Sequence, residues 1–579
     1  MEPQNASRSF RLAFYCSGHG YGHATRVSAL ARHLLGLDSN PEVYLVSTAP
    51  EHVFADSISR GAQYRHAYVD PVIVQPVAYH VDRQKSIEVL RSFLDQKDEF
   101  LEREVAWLKS TDVDCVLSDS AFLGCLAANA AMVPCILVTN FTFDSVYSYL
   151  STSYVDRTLP IDSVTWESSG EDSNITADVP IPYDDIKALV DELHAGYRCA
   201  DLLVLLPGAI PIPSFSRYPP LPAHRWTDES DNSLLHTAVV HLDKGPEYGG
   251  LLPAVPFPSP PGAQKSIEKP LPRFVIQAPL LVRTPTNVAS GESVYTPAGR
   301  SAFLASLGVP EHLHDPSTTH ILVVSFGGQR IRRPNSGATT PVRGLRATSS
   351  NTLSNGRSGS TLLSPGALLP HTSDSRLATT SQLLMPGAPP AFKPECSPLL
   401  SSGSFPDRLS TVDEIVTEDL PRLLPDESWI AIVCGVSKEQ WAEGEDELPE
   451  GFYVAPKYVY MPDLTAVADV ILGKLGYGTV SECVDSQTPF VYVSRPLFVE
   501  EHGLRRLLEQ SGVGHELSRT AFECGDWAHA VERAWKRGKL AKDTIRAKGG
   551  NRGRDEECRQ LAVKLVDWIT AWKEAVRYQ

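Results

Sequence analysis

The sequence lacks several features that would place a chain of 579 residues in a membrane, secreted or nucleic-acid-binding class. It contains no stretch of about 18 uninterrupted apolar residues, which argues against a helix that spans a bilayer. Its first residues show no basic region, apolar core and cleavage site, so no secretory signal is predicted. Acidic residues outnumber basic residues by 69 to 53, and the formal net charge of −16 argues against general nucleic-acid binding.

Cysteine occurs ten times, but no two cysteines have the CxxC spacing of a redox motif or a zinc site. The cysteines are scattered along the chain as Cys16, Cys115, Cys125, Cys135, Cys199, Cys396, Cys434, Cys483, Cys524 and Cys558. Several lie in apolar runs, which is typical of reduced and buried thiols. We therefore expect a cytoplasmic protein, and peripheral membrane contact is left open.

The most informative stretch is GKLGYGTVSE at 473–482, which follows an apolar run typical of a buried strand. A helix is predicted to begin near Thr479, whose hydroxyl is able to cap the free amides. Glycines let the backbone come close to a ligand, and the first turn of such a helix favours phosphate. Glu482 has two interpretations, as the partner of that cap in a capping box or as a carboxylate that binds ribose hydroxyls.

A second glycine-rich stretch, SGHGYGH at 17–23, follows the predicted strand Leu12–Cys16. An apolar stripe with helical spacing begins at Val27, and the next strand is predicted over Val43–Ser47. This order of strand, loop, helix and strand is typical of a doubly wound parallel sheet. The loop differs from the dinucleotide pattern GxGxxG by its two histidines, which indicate a different chemistry.

Strands and helices alternate along most of the chain, which predicts two α/β domains. The first is predicted over 1–285 and includes one long amphipathic helix over Arg83–Ser110. The second is predicted over 300–579 and ends in a helix over 556–576, which is expected to cross back to the first domain.

Two segments depart from this alternation. Residues 213–272 are rich in Pro, Ser and Asp and are predicted to form an irregular insertion in the first domain. Residues 330–408 are dominated by Ser, Thr, Pro, Gly and Leu, with almost no aromatic residues. Such a composition buries too little apolar area to offset its ordering entropy, so a disordered insertion in the second domain is predicted.

Two α/β domains with a glycine-rich loop at the end of a strand in each resemble the two-lobed GT-B glycosyltransferases. The pair Gly22-His23 at the start of the first helix is similar to that of many sugar-nucleotide glycosyltransferases. GYGTVSE in the second domain resembles the donor site of the bacterial lipid-linked N-acetylglucosaminyltransferase of peptidoglycan synthesis. The resemblance implies a GT-B fold, in which two Rossmann-like domains face a cleft.

A more extensive resemblance is to the glycosyltransferase-like amino-terminal region of plant-type L-arabinokinases. The segments that carry it follow in the same order as GHGYGHATRVSALARHL, DCVLSDS, PCILVTNFTFD, LPGAIPIPSF, SFGGQ, CGVS and LGKLGYGTVSECVDSQTPFVYV. They cover most of the chain outside the two predicted insertions. In those plant proteins the region precedes a GHMP-type sugar kinase, whose PxxxGLSSSA phosphate loop has no counterpart in this sequence. We therefore expect no arabinose kinase activity.

The resemblance implies transfer of a hexosyl or pentosyl group from a nucleotide sugar, with UDP as the expected nucleotide and inversion at the anomeric carbon. Such transfer needs a stabilised diphosphate, a deprotonated acceptor hydroxyl and an in-line arrangement of the two. Helix dipoles and amides serve the first need, and the sequence has no obvious DxD motif or His-rich cluster. Neither a metal nor another cofactor is expected, and the donor sugar and the acceptor are not identified.

The second domain is expected to bind the nucleotide sugar. The glycine loop and first helical turn are expected to hold the diphosphate through Gly476, Gly478, Thr479 and Val480. Lys474 is interpreted either as a charge-neutralising residue or as a solvated lysine, and Glu482 is expected on the ribose. The other side of the phosphates or the donor sugar is assigned to Gly327, Gly328 and Gln329. Weaker donor-sugar contacts are expected from Glu500 and Glu501.

The first domain is expected to bind the acceptor and to supply the base. His23 is the expected general base and His19 the second choice, because imidazole titrates near neutrality. Asp119 is expected to orient the imidazole in a His–Asp pair. The alternatives are a histidine bonded to the loop backbone and an aspartate that only caps a helix. Further contacts with acceptor or donor sugar are expected from Gly18, Gly20, Gly22, Arg26 and Asn140.

Three interpretations stay open at this point. Arg26 is either a ligand of phosphate or carboxylate, or an exposed helix residue. The whole chain is either an enzyme or a nucleotide-sugar-binding regulatory module, as the plant relatives carry this region beside an enzyme that does not need it. A sugar-nucleotide 2-epimerase shares the architecture, but its additional acid–base carboxylates are not identifiable in the sequence.

Overall fold

A computed structural model of the chain describes residues 8–76, 78–152, 179–216, 235–243, 250–259, 266–286, 291–326, 421–435, 449–456, 458–495 and 497–577. The predicted disordered insertion at 330–408 lies outside these residues. So do Gly327, Gly328 and Gln329, which therefore remain predictions.

The first domain is built on a seven-stranded parallel sheet. Its strands are β1 (Arg11–Cys16), β2 (Glu42–Ser47), β3 (Gln63–His66), β4 (Cys115–Asp119), β5 (Cys135–Thr139), β6 (Leu202–Leu205) and β7 (Phe274–Gln277). They lie in the order β3-β2-β1-β4-β5-β6-β7, so the winding reverses between β1 and β4. Ligands of such sheets bind beyond the carboxyl ends of the strands at this reversal.

The strands of this sheet are nearly continuous apolar runs because both of its faces are buried. Along β1, Leu12 and Phe14 enter one hydrophobic core, whereas Ala13 and Tyr15 enter another. The helices of the domain are α1 (Tyr21–Leu35), α2 (Ala55–Ser59), α3 (Arg83–Asp95), α4 (Lys97–Ser110), α5 (Phe122–Ala131), α6 (Phe143–Tyr149), α7 (Tyr183–Tyr197) and α8 (His236–Asp243).

The second domain repeats this plan with a six-stranded parallel sheet. Its strands are β8 (His320–Ser325), β9 (Trp429–Val433), β10 (Phe452–Val454), β11 (Val470–Lys474), β12 (Phe490–Val493) and β13 (Gly514–Leu517). The order β10-β9-β8-β11-β12-β13 reverses between β8 and β11. Its helices are α9 (Pro297–Ser306), α10 (Met461–Val467), α11 (Tyr477–Ser486), α12 (Glu500–Ser511), α13 (Arg519–Cys524), α14 (Ala528–Ala547) and α15 (Gly553–Arg577). The predicted fold of two doubly wound Rossmann-like domains is confirmed.

Two predictions about elements of the first domain need correction. The single helix predicted over 83–110 is two helices, α3 and α4, which are separated at Gln96 with φ −103° and ψ 0°. The apolar spacing continues across this residue, so the pattern does not reveal the break. The segment 213–272 contains a 3-10 turn over Pro213–Phe215, the helix α8 and two antiparallel bridges, so its described parts are not wholly irregular.

The terminal helix α15 crosses from the second domain to the first, as predicted. Near its start, Asp555 pairs with Arg32 of α1 at 3.1 Å. Near its end, Lys573 bonds to Asp114, which directly precedes β4. One hydrophobic core therefore contains buried residues of both domains and of α15.

The described cysteines are all free thiols, and each is buried except Cys524, which is partly exposed. This confirms the prediction of unpaired and mostly buried thiols. None of the helices in the described parts of the chain is both long and apolar enough to cross a membrane.

Candidate functional site

A cavity of about 530 Å³ lies between the two domains, at the carboxyl ends of β1 and β11. It contains most of the residues that the sequence predicts for the site. Its lining includes His19, Gly20, Gly22, His23 and Arg26 from the first domain, and Lys474, Gly476, Gly478, Thr479, Glu482 and Glu500 from the second. The reversal point of each sheet thus faces the same space.

The helix α11 begins at Tyr477, two residues before the predicted start. Its N-cap residue is Gly476, which is extended at φ −144°, and no side chain of the described residues caps the helix. The prediction that Thr479 is the cap is therefore wrong, because this residue already lies in the first turn. The capping-box interpretation of Glu482 is wrong as well, since this residue is the sixth of the helix. The first-turn amides at Gly478 and Thr479 border the cavity without a capping side chain.

The helix α1 also begins at the cavity, and within the described parts of the chain no side chain caps it. Its N-cap residue, Gly20, has φ +71°, a left-handed conformation that favours glycine. The two helix starts come very close, because a Cβ added to Gly22 would lie 3.5 Å from the amide nitrogen of Gly478. Both helices thus present the positive ends of their dipoles to one space, which favours an anion there.

Glu482 places its carboxylate in the cavity wall with two long contacts. Oε1 accepts from Nη2 of Arg283 at 3.4 Å, and Oε2 accepts from Oγ1 of Thr465 at 3.4 Å. Burial raises the pKa of Glu482 above its ordinary value, and Arg283 and Thr465 offset part of that rise. The long contacts leave acceptor capacity on both oxygens for a hydroxyl-bearing ligand.

Arg26 is fully buried, at 1% exposure, so the interpretation as an exposed helix residue is wrong. Its Nε and Nη2 donate to the two carboxylate oxygens of Asp119 at 2.6 and 2.5 Å. Its Nη1 donates to Oδ1 of Asn140 at 2.6 Å. The guanidinium also lies 4.8 Å above the ring of Tyr477. Most of its hydrogen-bonding capacity is thus used within the protein.

Asp119 is the ionic partner of Arg26. Burial raises the pKa of Asp119, but Arg26 and His23 lower it by more, so the carboxylate titrates below its usual range. The helix-cap interpretation is wrong, since the N-cap residue of α5 is Ala121.

His23 touches both members of this pair through one ring nitrogen. Nδ1 lies 3.1 Å from Oδ1 of Asp119 and 3.0 Å from Nη2 of Arg26. A hydrogen on Nδ1 would go to Asp119 and leave a lone pair on Nε2, as a base requires. A bond from Arg26 would instead put the hydrogen on Nε2. The expected His–Asp contact is present. The tautomer of His23 decides whether Nε2 is able to accept a proton or donates one.

His19 and Lys474 lie in the cavity wall with altered titration. The ring of His19 stacks on Phe498 with centroids 5.4 Å apart and an interplanar angle of 9°. Burial, followed by Lys474 and His23, lowers the pKa of His19 well below its usual value, so this imidazole is neutral near pH 7. Burial and Arg495 likewise lower the pKa of Lys474. Lys474 is half-buried in the cavity wall, which disfavours the interpretation as a merely solvated lysine.

Four predicted contact residues have structural roles outside the cavity lining. The amide of Val480 donates to the carbonyl of Gly476 at 3.0 Å, so it is not available to a diphosphate. Gly18 packs so closely against Thr48 that a Cβ added to it would lie 1.8 Å from Oγ1 of that residue. The other two residues are Asn140 and Glu501.

Asn140 and Glu501 form hydrogen bonds within the protein and do not line the cavity. Asn140 lies between the domains, where its Nδ2 donates to Oε1 of Glu500 at 2.9 Å. The carboxylate of Glu501 accepts from the backbone nitrogen of Arg495 at 2.5 Å and from its Nε at 3.2 Å. It also accepts from Oγ of Ser494 at 3.0 Å, and so it fixes the turn after β12.

Several cavity residues are absent from the sequence predictions. Tyr477 could have been predicted, because it lies inside the motif GKLGYGTVSE. Its hydroxyl oxygen accepts a hydrogen bond from the amide of Leu281 at 3.3 Å. Arg495 and Arg283 belong to no motif. Arg283 lies in the segment after β7, where neither glycine pattern nor periodicity marks a site.

No known protein family's sequence profile matches the chain. The chain is 25% identical to L-arabinokinase from Arabidopsis thaliana over 533 residues, which make up 91% of this chain and 32% of that protein. It therefore spans about a third of the length of this curated relative.

The chain is also similar in structure to distantly related solved proteins. They include the glycotransferase of kitacinnamycin, at 13% identity and a TM-score of 0.43, with 97% of this chain and 99% of that chain covered. The UDP-glucosyltransferase from Polygonum tinctorium shares 12% identity at a TM-score of 0.41, with coverage of 98% and 99%. Because these identities and TM-scores are low, we assign the two-lobed architecture from the strand orders of the two sheets. By sequence, the chain is similar to L-arabinokinase along nine-tenths of its length.

Proposed function

We propose that the chain binds a nucleotide sugar in the cavity between its domains and transfers the sugar to an acceptor hydroxyl. The observation that carries the proposal is the uncapped start of α11 with Glu482 farther along the same helix. The amides at Gly478 and Thr479 suit a diphosphate, and Glu482 suits the hydroxyls of a ribose. UDP is the expected nucleotide.

The same wall supplies what departure of the diphosphate requires. The starts of α1 and α11 and Lys474 line this cavity, and in this proposal they stabilise the negative charge that grows on the leaving group. During transfer, the bond between the anomeric carbon and the phosphate oxygen breaks as the acceptor oxygen attacks from the opposite face. We propose that His23 accepts the proton of that oxygen in the tautomer with a free Nε2. Independence of metal ions and inversion at the anomeric carbon are predictions of this scheme.

A regulatory module that binds nucleotide sugar without turnover is the second candidate. The observation that favours it is the position of Arg26, whose Nη2 competes with Asp119 for Nδ1 of His23. In the tautomer that Arg26 favours, His23 donates a hydrogen bond to the ligand and has no lone pair to receive a proton. Kinase activity is not proposed for this chain, because the similar region makes up only 32% of L-arabinokinase.

Calorimetric titration with UDP and a panel of UDP-sugars tests the binding proposal. Glu482→Gln is expected to weaken UDP binding by about tenfold or more, the value of hydrogen bonds to a charged acceptor. Glu532→Gln, at an exposed ion pair with Lys536, is the matched control and is expected to bind as the wild type does. Absence of binding to every uridine nucleotide would overturn the proposal.

Release of UDP from bound UDP-sugar, with water as the acceptor, separates the two candidates. A transferase is expected to show slow release that falls at least tenfold in His23→Gln while UDP affinity is retained. Release at the same rate in both proteins would remove His23 from the mechanism.

A further inference from the structure

The segment after β7 runs along the cavity on its way to the second domain. Three hydrogen bonds fix this connector to the second domain: Leu281 N to Tyr477 Oη at 3.3 Å, Tyr460 Oη to Thr284 O at 3.1 Å, and Thr286 N to Asp463 Oδ1 at 2.7 Å. Residue 283 lies between these anchors, so the position of its side chain is set by the backbone on both sides.

Arg283 is the charged side chain that this connector brings to the cavity. Only 11% of the side chain is exposed, and its guanidinium lies 4.9 Å from the ring centroid of Tyr460. Its Nη2 reaches Glu482 at 3.4 Å. Its Nε is buried and has no hydrogen-bond partner among the described residues.

An arginine in this state has donors to offer. A guanidinium carries five N–H groups and no acceptor, and a buried N–H without a partner is costly. The 3.4 Å contact between Nη2 and Glu482 is long and leaves Nε without a partner. The ring of Tyr460 offers no lone pair to these N–H groups. A ligand with strongly accepting oxygens would relieve this cost. Phosphate is such a group, and arginine matches its geometry with paired hydrogen bonds.

We propose that Arg283 binds the diphosphate of the nucleotide whose ribose lies on Glu482. This assignment rests on the proposed function, because it uses the same cavity and the same helix start. It adds a cation from the interdomain connector to the amides of α11, so the ligand is held by both the second domain and the segment that joins it to the first. Arg283 is thereby a specificity residue that distinguishes nucleoside diphosphates from nucleosides.

The test compares UDP with uridine in the wild type and in Arg283→Gln. UDP affinity is measured by calorimetry, and uridine affinity by ligand-observed NMR, which detects weak complexes. Arg283→Gln is expected to weaken UDP by about tenfold to a hundredfold while uridine changes by less than about threefold. Arg283→Lys keeps the charge but loses the planar fork, so it is expected to recover part of the UDP affinity. If the glutamine variant does not fold, the lysine variant carries the same comparison.

Arg32→Gln is the matched control. Arg32 donates to the hydroxyl of Thr284 and pairs with Asp555, so its loss loosens the connector without removing a cavity guanidinium. It is expected to leave UDP affinity within about threefold of the wild type. An equal loss for UDP and uridine in Arg283→Gln, no loss for either, or a loss of UDP affinity in Arg32→Gln as large as in Arg283→Gln would overturn the proposal. Failure of the wild type to bind UDP would instead overturn the proposed function.

Discussion

Among the buried charges around the cavity, those of the arginines are paired with carboxylates. A charge removed from water is tolerated only with a partner that restores its hydrogen bonds. The three arginines at the cavity have carboxylate partners, in the pairs Arg26–Asp119, Arg283–Glu482 and Arg495–Glu501. The contact lengths in these pairs differ, from 2.5 Å for the first to 3.4 Å for the second. We expect the short pair, Arg26–Asp119, to be structural. We expect the long pair, Arg283–Glu482, to separate when a ligand binds.

Loss of the short pair is predicted to destabilise the protein strongly. Asp119→Asn leaves the charge of Arg26 buried without a counter-ion, so the free energy of unfolding should fall by about 3 kcal/mol. Asp112→Asn is the control, because the pair of Asp112 with Arg8 is largely exposed and should contribute less than about 1 kcal/mol. Urea unfolding of both variants measures the difference. Equal losses would contradict the structural role of the buried pair.

A pH dependence is predicted from Asp70, which lies beneath the first glycine loop. Burial raises the pKa of Asp70 to about 7, even though it accepts hydrogen bonds from Ser17 and Gly18. Since the ordinary value is near 3.9, the folded state binds more protons between these values. The contribution of Asp70 to stability is therefore full below the lower value and is lost as pH rises through about 7.

The measurement is urea unfolding of the wild type and of Asp70→Asn. Between about pH 5 and about pH 8 the wild type is expected to lose about 3 kcal/mol relative to the variant. A difference that stays constant over this range would show that Asp70 titrates normally.

At the scale of elements, the opposed starts of α1 and α11 define the site. Their glycines let the two backbones approach closely, because a Cβ added to Gly478 would lie 3.4 Å from Cα of Gly22 and 3.2 Å from Oγ1 of Thr25. We expect both helices to contribute to anion binding, because each supplies the positive end of its dipole and neither is capped by a side chain of the described residues.

Gly22→Ala tests this arrangement without straining the backbone, since Gly22 lies in α1 and does not have a positive φ. The added methyl group would lie 3.5 Å from the amide nitrogen of Gly478, where a phosphate oxygen is expected. UDP affinity should fall by about threefold to tenfold, as for the loss of one hydrogen bond, with stability unchanged or higher. Gly553→Ala in α15 is the control and should leave calorimetric UDP affinity unchanged. Unchanged affinity in Gly22→Ala would argue against a phosphate at this point.

The sequence predicts these elements well where the pattern is strong and local. The apolar strands follow from runs such as Val470-Ile471-Leu472, and most of the residues predicted for the site from the two glycine-rich stretches and their neighbours line the cavity. The break at Gln96 was missed because one non-helical residue does not interrupt an apolar stripe. The helix α11 begins earlier than predicted: Thr479 is a good cap by residue type, but the extended Gly476 is the N-cap residue and the helix begins directly after it.

At the scale of the whole molecule, α15 and the connector tie the two domains together. The aromatic ring of Trp572 in α15 contacts Phe257 of the first domain, with centroids 6.2 Å apart. The shared core includes Leu12 of β1, Ile471 of β11 and Ile569 of α15. The relative position of the domains, and with it the cavity, is thus part of the folded core.

Trp572→Ala is predicted to weaken the first domain although the residue lies in the terminal helix. Removal of a side chain that is only 5% exposed should cost about 3–5 kcal/mol. Hydrogen exchange at the amide of Phe257, which donates to Ile267 at 2.8 Å, should become faster. Trp535→Ala, in α14 beside His320, should leave that amide protected. Equal exchange at Phe257 in both variants would contradict the bridging role of α15.

Two features of the arginines at the site were not predictable from the sequence: the contact of Arg283 with Glu482 and the burial of Arg26. Arg283 reaches Glu482 across 199 positions of sequence, because the connector is anchored to Tyr477 and Tyr460. Arg26 is conspicuous as a cation in a glycine-rich region, but its burial on Asp119 follows from the pairing of β1 with β4. Such contacts follow from tertiary placement, which no local pattern encodes.

The most direct test of the account is a crystal structure of the protein with UDP at saturating concentration. We predict a diphosphate within hydrogen-bond distance of the amides of Gly478 and Thr479, with the ribose hydroxyls on the carboxylate of Glu482. A nucleotide bound elsewhere, or in the cavity with its phosphates away from the start of α11, would contradict it.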